Sequence, residues 1–389
     1  MTAEVVFWTA ALAVAYTWLG YPAILALLAR RSPPPLRSDT CRPRLSVVVA
    51  AFNEARWIEA KIAGTLGQRY PADRLEVVVV SDGSTDGTDA LVLAHPDPRV
   101  RLIRQEPRAG KSAALNRGVA AATGEVLVFT DANALFAPDA LARLAACFAD
   151  DRVGLVSGIG LYAGAPGSAD ARAVAGGYTR YEALIKAGES ALGFLASADG
   201  AIYALRRDLY RPLAAAEVND LVHPIEAALR RRLSRFDPGA VTVEPPSADA
   251  GQEFRRHVRI IAQGIAVARA WLPRLLAAGC WRAVWALVSH RVLRWSTGPL
   301  LVAALAANAA LLAEPLYRAT LAAQAVFYGV ALAGLVAERR GASLGALALP
   351  YYFCVIGAAG VAGLGRYLRG GPDATWAPAG GVPAGDRAA

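Results

Sequence analysis

The sequence predicts an α/β domain with a mostly parallel sheet, joined to membrane-spanning α-helices. Three observations lead there. Between Leu45 and Ser157, short runs rich in Val, Leu and Ile alternate with helical patterns, as strands buried on both faces and joined by helices do. Several of these runs stop at an acid or amide, most sharply in Val126-Leu-Val-Phe-Thr-Asp131-Ala-Asn133. Around them lie apolar runs long enough to cross a bilayer, in a chain of 389 residues that is 55% hydrophobic with a mean hydropathy of +0.33.

Val5 to Ala29 carries no formal charge and can cross a hydrocarbon core of about 30 Å. No Lys or Arg precedes it and Arg30-Arg31 follow, which argues for a retained helix over a cleaved signal peptide, with the next domain cytoplasmic. Residues 32–44, with Pro33-Pro34-Pro35 and Pro43, read as a stiff polar tether. Strands are expected at Leu45 to Ala51, Glu76 to Ser81, Val100 to Arg104, Glu125 to Thr130 and Val153 to Ser157. Helical patterns lie between them at Glu54 to Gln68, Thr85 to Ala94, Lys111 to Ala122 and Pro138 to Phe148. From Tyr178 onward the pattern is helical around one strand-like piece, Ala201 to Arg206.

Glu253 to Arg269 is amphipathic, with Phe254, Val258, Ile261 and Ile265 opposite Arg255, Arg256, Arg259 and Gln263, and suits the membrane interface. Trp271, Trp281 and Trp285 extend that character to Val288. Three charge-poor runs follow, Ser296 to Ala313, Ala319 to Ala337 and Gly341 to Gly365. The expected organisation is an N-terminal span (1–31), tether (32–44), catalytic domain (45–250), interfacial helices (251–295), three spans (296–366) and a flexible tail (367–389). Four crossings leave Arg339-Arg340 inside, as the positive-inside rule wants, but Arg366 and Arg369 outside. The net charge of +9 comes with arginines beside apolar segments, which suits a lipid surface and argues against a nucleic-acid binder. The four cysteines are scattered and indicate neither a zinc site nor a disulfide framework.

Ligands of open α/β sheets collect outside the carboxyl ends of the strands, so the residues there are the candidate site. Asp131 and Asn133, two apart in extended backbone, project to one side and suit a hard divalent cation shared with a diphosphate; a turn with an Asx cap is the ordinary alternative. Asp82 follows four valines, with Gly83 for the turn and Ser84 or Thr85 as cap, and can accept from a base N–H or a sugar hydroxyl. Glu54 ends the first strand in the same way. Gly110-Lys111-Ser112 is no P-loop, because Gln105 stands where its first glycine belongs; Lys111 is either a diphosphate contact or a solvated helix start. Gly158-Ile159-Gly160 is no dinucleotide fingerprint, since Ala163 replaces the third glycine. Asp220, beside the apolar run Leu221-Val222, is either a partly desolvated general base or a helix cap, and His223 before Pro224 reads as structural.

Phe52-Asn53-Glu54, Ser81-Asp82-Gly83-Ser84-Thr85-Asp86, Gly110-Lys111 to Asn116, Asp131-Ala132-Asn133 and Asn219-Asp220, in this order, resemble the motifs of family 2 inverting glycosyltransferases. The membrane-bound members, similar to synthases of cellulose, hyaluronan and poly-N-acetylglucosamine, carry a cytoplasmic domain of GT-A type flanked by membrane helices. The resemblance spans about Pro43 to Trp295. It implies a nucleotide-sugar donor, a UDP-sugar first among them, held by Phe52, Asn53, Glu54, Asp82, Lys111 and Asp131, with Mg2+ or Mn2+ on Asp131 and Asn133. It implies Asp220 as the base, Ser197-Ala198-Asp199-Gly200 on the acceptor side, and Arg256 and Arg259 near the diphosphate. A glycan or a lipid-linked acceptor, the inner or plasma membrane, and export or assembly subunits follow from the same resemblance.

Two departures stand out. Asn133 replaces the second acid of the usual Asp-x-Asp, removing one charge. The Gln-x-x-Arg-Trp of processive synthases falls at Arg256 to Ile260, where only Arg259 matches; Arg291-Val-Leu-Arg-Trp295 fits better by type but lies farther along. Single-sugar transfer to a polyprenyl or other lipid carrier is therefore the alternative to polymerisation. A nucleotide-binding transporter or scaffold is the alternative outside enzymes, weakened by Glu314 and Arg318 sitting at span ends.

Overall fold

The structure, a computed structural model, describes residues 2–33, 35–162, 169–245, 250–340, 342 and 344–370. Most of the tail expected from residue 367, residues 371–389, lies outside the described residues, as does Pro34 of the tether.

One eight-stranded sheet organises the chain, in the order β3-β2-β1-β4-β7-β6-β8-β5. Its strands are β1 (Leu45–Ala51), β2 (Leu75–Asp82), β3 (Val100–Gln105), β4 (Val126–Asp131), β5 (Leu135–Phe136), β6 (Val153–Tyr162), β7 (Tyr203–Arg206) and β8 (Leu233–Glu244). The half built from β3, β2, β1 and β4 is wholly parallel. β1, β2 and β4 are almost wholly apolar because helices cover both faces, with Ile58 and Ile62 on one side and Ala114, Leu115 and Val119 on the other; β3, at the sheet edge, carries Arg101 and Arg104 outward. β7 runs antiparallel to both β4 and β6, so the other half is mixed. The register aligns Ala51 with Ser81 and Ala50 with Asp131, which brings the ends of β1, β2 and β4 to one edge.

β8 differs from the expectation of helices after Tyr178. Eight of its twelve residues pair parallel with β6 across two irregularities, and Asp237-Pro238-Gly239 interrupts its apolar pattern. Asp237, almost fully buried, is held there by Arg37 at 2.6 Å and by Arg143 at 3.4 Å.

The N-terminal helix runs from Thr2 to Ala29 with a π-helical turn at Tyr16–Gly20. Ala250–Ala277 forms one helix, whose Ile261, Ala262, Val267, Ala268, Trp271 and Leu275 are buried, several of them against the sheet domain. It thus packs along the sheet domain where an interfacial helix was expected. Among the described residues, four helices are long and apolar enough to cross a membrane: Thr2–Ala29, Phe254–Ala277, Pro315–Arg339 and Gly345–Gly370. Thr297–Ala309, where a span was expected, has 13 residues, about 20 Å of helix, but continues the helical segments of Trp281–Trp295 with only Ser296 between. Val5, Leu12, Leu19, Val302, Val326 and Leu349 all point their side chains outward from these helices, an apolar surface of the kind that lipid covers.

Candidate active site

At the end of β2, Asp82 is fully buried and both its oxygens are taken. Oδ1 accepts from Gln105 Nε2 at 2.5 Å and from the Ala109 amide at 2.8 Å; Oδ2 accepts from the Gly110 amide at 3.0 Å. Arg108 Nε lies 3.6 Å away, and its guanidinium covers the Phe52 ring at 3.5 Å. Gly110 has φ +95°, which lets two successive amides turn toward one carboxylate. Asp82 therefore shapes the 105–110 loop, and the Phe52–Arg108 pair is the flat surface it presents.

Asn53, at φ +55°, is clipped to the β2 turn: its amide donates to Ser84 Oγ and its Oδ1 accepts from the Thr85 amide. The next two amides donate to Thr88 Oγ1 and Asp86 Oδ2. Backbone donors of one loop are thus satisfied by side chains of the other, which explains the Ser, Thr and Asp that follow Gly83. Glu54, buried beside them, is pushed up to about 8 by burial, then by Asp131 and Asp86.

Asp131 stands at the end of β4 with a third of its side chain accessible, and its Oδ1 accepts from Lys111 Nζ at 2.5 Å. Ala132 and Asn133 lie in a turn closed by the Ala134 amide on the Asp131 carbonyl at 3.2 Å. The extended spacing expected for Asp131 and Asn133 is therefore not what the backbone adopts, and the shared-face argument for a two-residue cation site falls away. Behind the turn, Lys61 is buried and donates to Thr130 Oγ1 at 2.6 Å and to the Ala134 carbonyl.

Asp220 occupies the first turn of the helix Asn219–Leu229. Its carbonyl accepts from the Ala198 amide at 2.7 Å, which ties it to the Ser197–Gly200 segment. The close approach of Gly200 leaves room for its carboxylate, whose Oδ2 lies 3.5 Å from where a side chain on Gly200 would begin. Its Oδ1 is buried without a hydrogen-bond partner among the described residues. Burial raises the Asp220 pKa, Lys111 and Arg291 lower it, and Asp199 and Asp131 raise it further, with a net upward shift. One turn along, His223 bonds Tyr203 Oη at 2.9 Å, is held neutral by burial and is structural.

Asp199 accepts from the Gly160 and Ala201 amides and sits 3.5 Å from Lys186 Nζ. Glu244, the last residue of β8, was not anticipated; its Oε1 and Asp199 Oδ1 face the same spot over Gly160. Burial and then Asp131 push Glu244 up to about 7, against the pull of Arg256. Arg256 also donates to Tyr162 Oη at 3.0 Å; Arg259 lies half-buried one turn along the same helix. The sequence spacing placed Arg291 too far away, yet it donates to Ser197 Oγ and acts on Asp220. Trp295 packs against Gly264 of the long helix.

Lys111, Asp131, Asp199, Asp220, Glu54, Glu244, Arg256 and Arg291 thus form one electrostatically linked group. Among the described residues no three His, Cys, Asp or Glu side chains converge as metal ligands. The donor set still fits a divalent ion in part. Asp131 already holds an ammonium as a stand-in cation, and the acids around it are driven toward their neutral forms by burial and then by Asp131 itself, a crowding that a bound cation would relieve. Asp131 would be the protein's ligand, with the other oxygens from a bound diphosphate.

Residues 46–195 match the family model Glycosyl transferase family 2. Succinoglycan biosynthesis protein ExoO of Rhizobium meliloti is 43% identical over 102 residues, 26% of this chain and 29% of that protein. A beta-monoglucosyldiacylglycerol synthase of Synechocystis is 35% identical over 130 residues, 32% of this chain and 27% of that protein. The chain thus covers less than a third of either relative's length. A mannosyltransferase of Pyrobaculum calidifontis, solved with GDP-Man and Mn2+, superposes with a TM-score of 0.69 at 26% identity, covering 93% of this chain and 99% of that one. The fold is GT-A-like, with apolar helices appended.

Proposed function

We propose that this chain is a membrane-bound inverting glycosyltransferase, moving a sugar from a nucleoside-diphosphate donor to a glycan acceptor with Asp220 as general base. The observation that carries the reading is the Asp220 carboxylate: one oxygen without a partner, a pKa raised by burial, and two cations, Lys111 and Arg291, acting on it. A base poised nearer neutrality than a free aspartate suits proton abstraction from a sugar hydroxyl.

In this reaction the acceptor oxygen bonds to the anomeric carbon as the bond to the diphosphate breaks, and the acceptor proton passes to Asp220 Oδ1. Lys111 exchanges Asp131 for the departing diphosphate, and Arg291 stabilises the same developing charge from the acceptor side. A divalent ion, when bound on Asp131, supplies further charge neutralisation. The Phe52–Arg108 surface receives the base, while Asp82 keeps the loop bearing Arg108 in shape. Asp199 and Glu244 suit the sugar hydroxyls, with Arg256 balancing their charge.

The apolar outer faces of the helices and the Arg30-Arg31 and Arg339-Arg340 pairs support an integral membrane protein whose residues 45–250 lie in the cytoplasm. The relative named for diacylglycerol glucosylation supports a second reading, transfer of one sugar to a lipid. A donor screen scored by release of nucleoside diphosphate from membranes tests the activity, and product size separates one added sugar from a polymer. Binding of nucleotide sugars without diphosphate release would leave a binding protein or transporter.

A further inference from the structure

Lys61 is a lysine where the packing asks for a hydrocarbon. It lies on the helix Ile58–Leu66 between Ile58, Ile62 and Thr65, all buried against the sheet, and is itself 1% exposed. Burying an ammonium is costly unless its hydrogen bonds are made. Here they are made to the two ends of one short turn: Thr130 Oγ1 at 2.6 Å on one side and the Ala134 carbonyl on the other. The ring face of Phe136 lies 3.7 Å from the same nitrogen. Between the two anchored residues sit Asp131, Ala132 and Asn133.

We propose that Lys61 is the positioning residue of the diphosphate end of the site, bracing the Thr130–Ala134 turn so that Asp131 is aimed at the metal–diphosphate. The inference rests on the donor reading given above. Asp131 then has two lysines near it with different duties. Lys111, 30% exposed, faces the crevice and can be exchanged for ligand; Lys61 is fixed behind the turn. A leucine or methionine at position 61 would fill the space and leave the Ala134 carbonyl and the Thr130 hydroxyl without their donor. The turn would then relax, and Asp131 would lose its direction without losing its charge.

The test uses the full chain in detergent, with GDP and UDP as probes titrated calorimetrically in Mn2+ and in EDTA. Lys61→Met is expected to fold, melt at a lower temperature and lose about tenfold or more of the affinity that Mn2+ adds, the range typical when a ligand's support is removed. Binding in EDTA should stay within about twofold, because the nucleoside contacts lie at the end of β2. Lys61→Arg, which keeps a cationic donor, should recover part of the Mn2+ increment. Should Lys61→Met fail to fold, Thr130→Val removes the other end of the brace and should cost about threefold in the same increment. An unchanged Mn2+ increment in whichever variant folds overturns the role of Lys61. Binding of neither diphosphate by the unaltered chain overturns the donor reading instead, and the positioning role with it.

Discussion

The two ends of the crevice are built on opposite principles. At the end of β2, Asp82 is enclosed and every oxygen has a partner from residues 105–110. At the end of β4, Asp131 is accessible, Asp220 has an oxygen without a partner, and Glu54 and Glu244 are driven upward by burial and by Asp131. The first end is closed by its own hydrogen bonds; the second keeps several acids crowded and buried together. On the proposed donor reading the difference has a use: a fixed clamp serves a nucleoside that is the same whatever sugar it carries, while a diphosphate that leaves during turnover needs groups whose charge is balanced only transiently.

Substitutions should separate the two ends. The largest effect is expected at Asp220→Asn, which removes the proton acceptor but keeps shape: turnover should fall by about 10²–10⁴ while donor affinity holds. Equal turnover in the purified variant would take Asp220 out of the mechanism. Asp131→Ala should weaken Mn2+-dependent GDP or UDP binding by about 10–100-fold, read by calorimetry with and without the metal. Arg291→Ala should lower turnover by about tenfold at saturating donor, with little change in KM, since Arg291 reaches the site through Ser197 on the acceptor side. Asp82→Asn should behave differently: a stability loss of about 1–3 kcal/mol and a raised donor KM, because amides 109 and 110 lose a charged acceptor. If Asp82→Asn instead reduces turnover and leaves KM and melting alone, the contrast between the two ends is wrong.

The parallel half of the sheet was legible to within a residue or two, because β1, β2 and β4 are buried on both faces and so read as apolar runs, and the edge strand β3 still shows partial alternation. β1 falls at Leu45–Ala51, as expected. β8 was not legible, since Arg235, Asp237 and Pro238 look like loop; Asp237 is buried only because Arg37 and Arg143, remote in sequence, come to meet it. Glu244, being the end of that strand, was lost with it. Lys61 reads in one dimension as a solvated helix residue, and nothing local says that Thr130 and Ala134 lie beneath it. Arg291 was set aside on spacing, but the helix Ala250–Ala277 consumes the intervening residues and returns the chain to Ser197. Separation along the chain measures distance poorly once a long helix intervenes.

The smallest predicted effect bears most directly on the poised end. Glu54 is pushed up to about 8 by burial, Asp131 and Asp86, and Glu244 to about 7 by burial and Asp131, from an ordinary 4.5. Between 4.5 and these values the folded chain holds protons that the unfolded chain has released, so these two acids contribute stability that is lost as pH rises across that window, while buried Lys61 and His223, both pulled down, act in the opposite sense. A divalent ion favours the ionised acids, so Mn2+ affinity should climb over the same range, by about tenfold per pH unit at most for each proton displaced. Melting in EDTA at about pH 5.5 and at about pH 8, for the unaltered chain and for Glu54→Gln, isolates the Glu54 contribution: the loss of stability over that interval should be smaller, or the gain larger, in the variant, whose amide cannot titrate, and titration with Mn2+ at both pH values reads the climb in affinity. Equal changes in melting temperature between the two pH values in both proteins would mean that Glu54 is not crowded beside Asp131, and that its end of the crevice is as settled as the other.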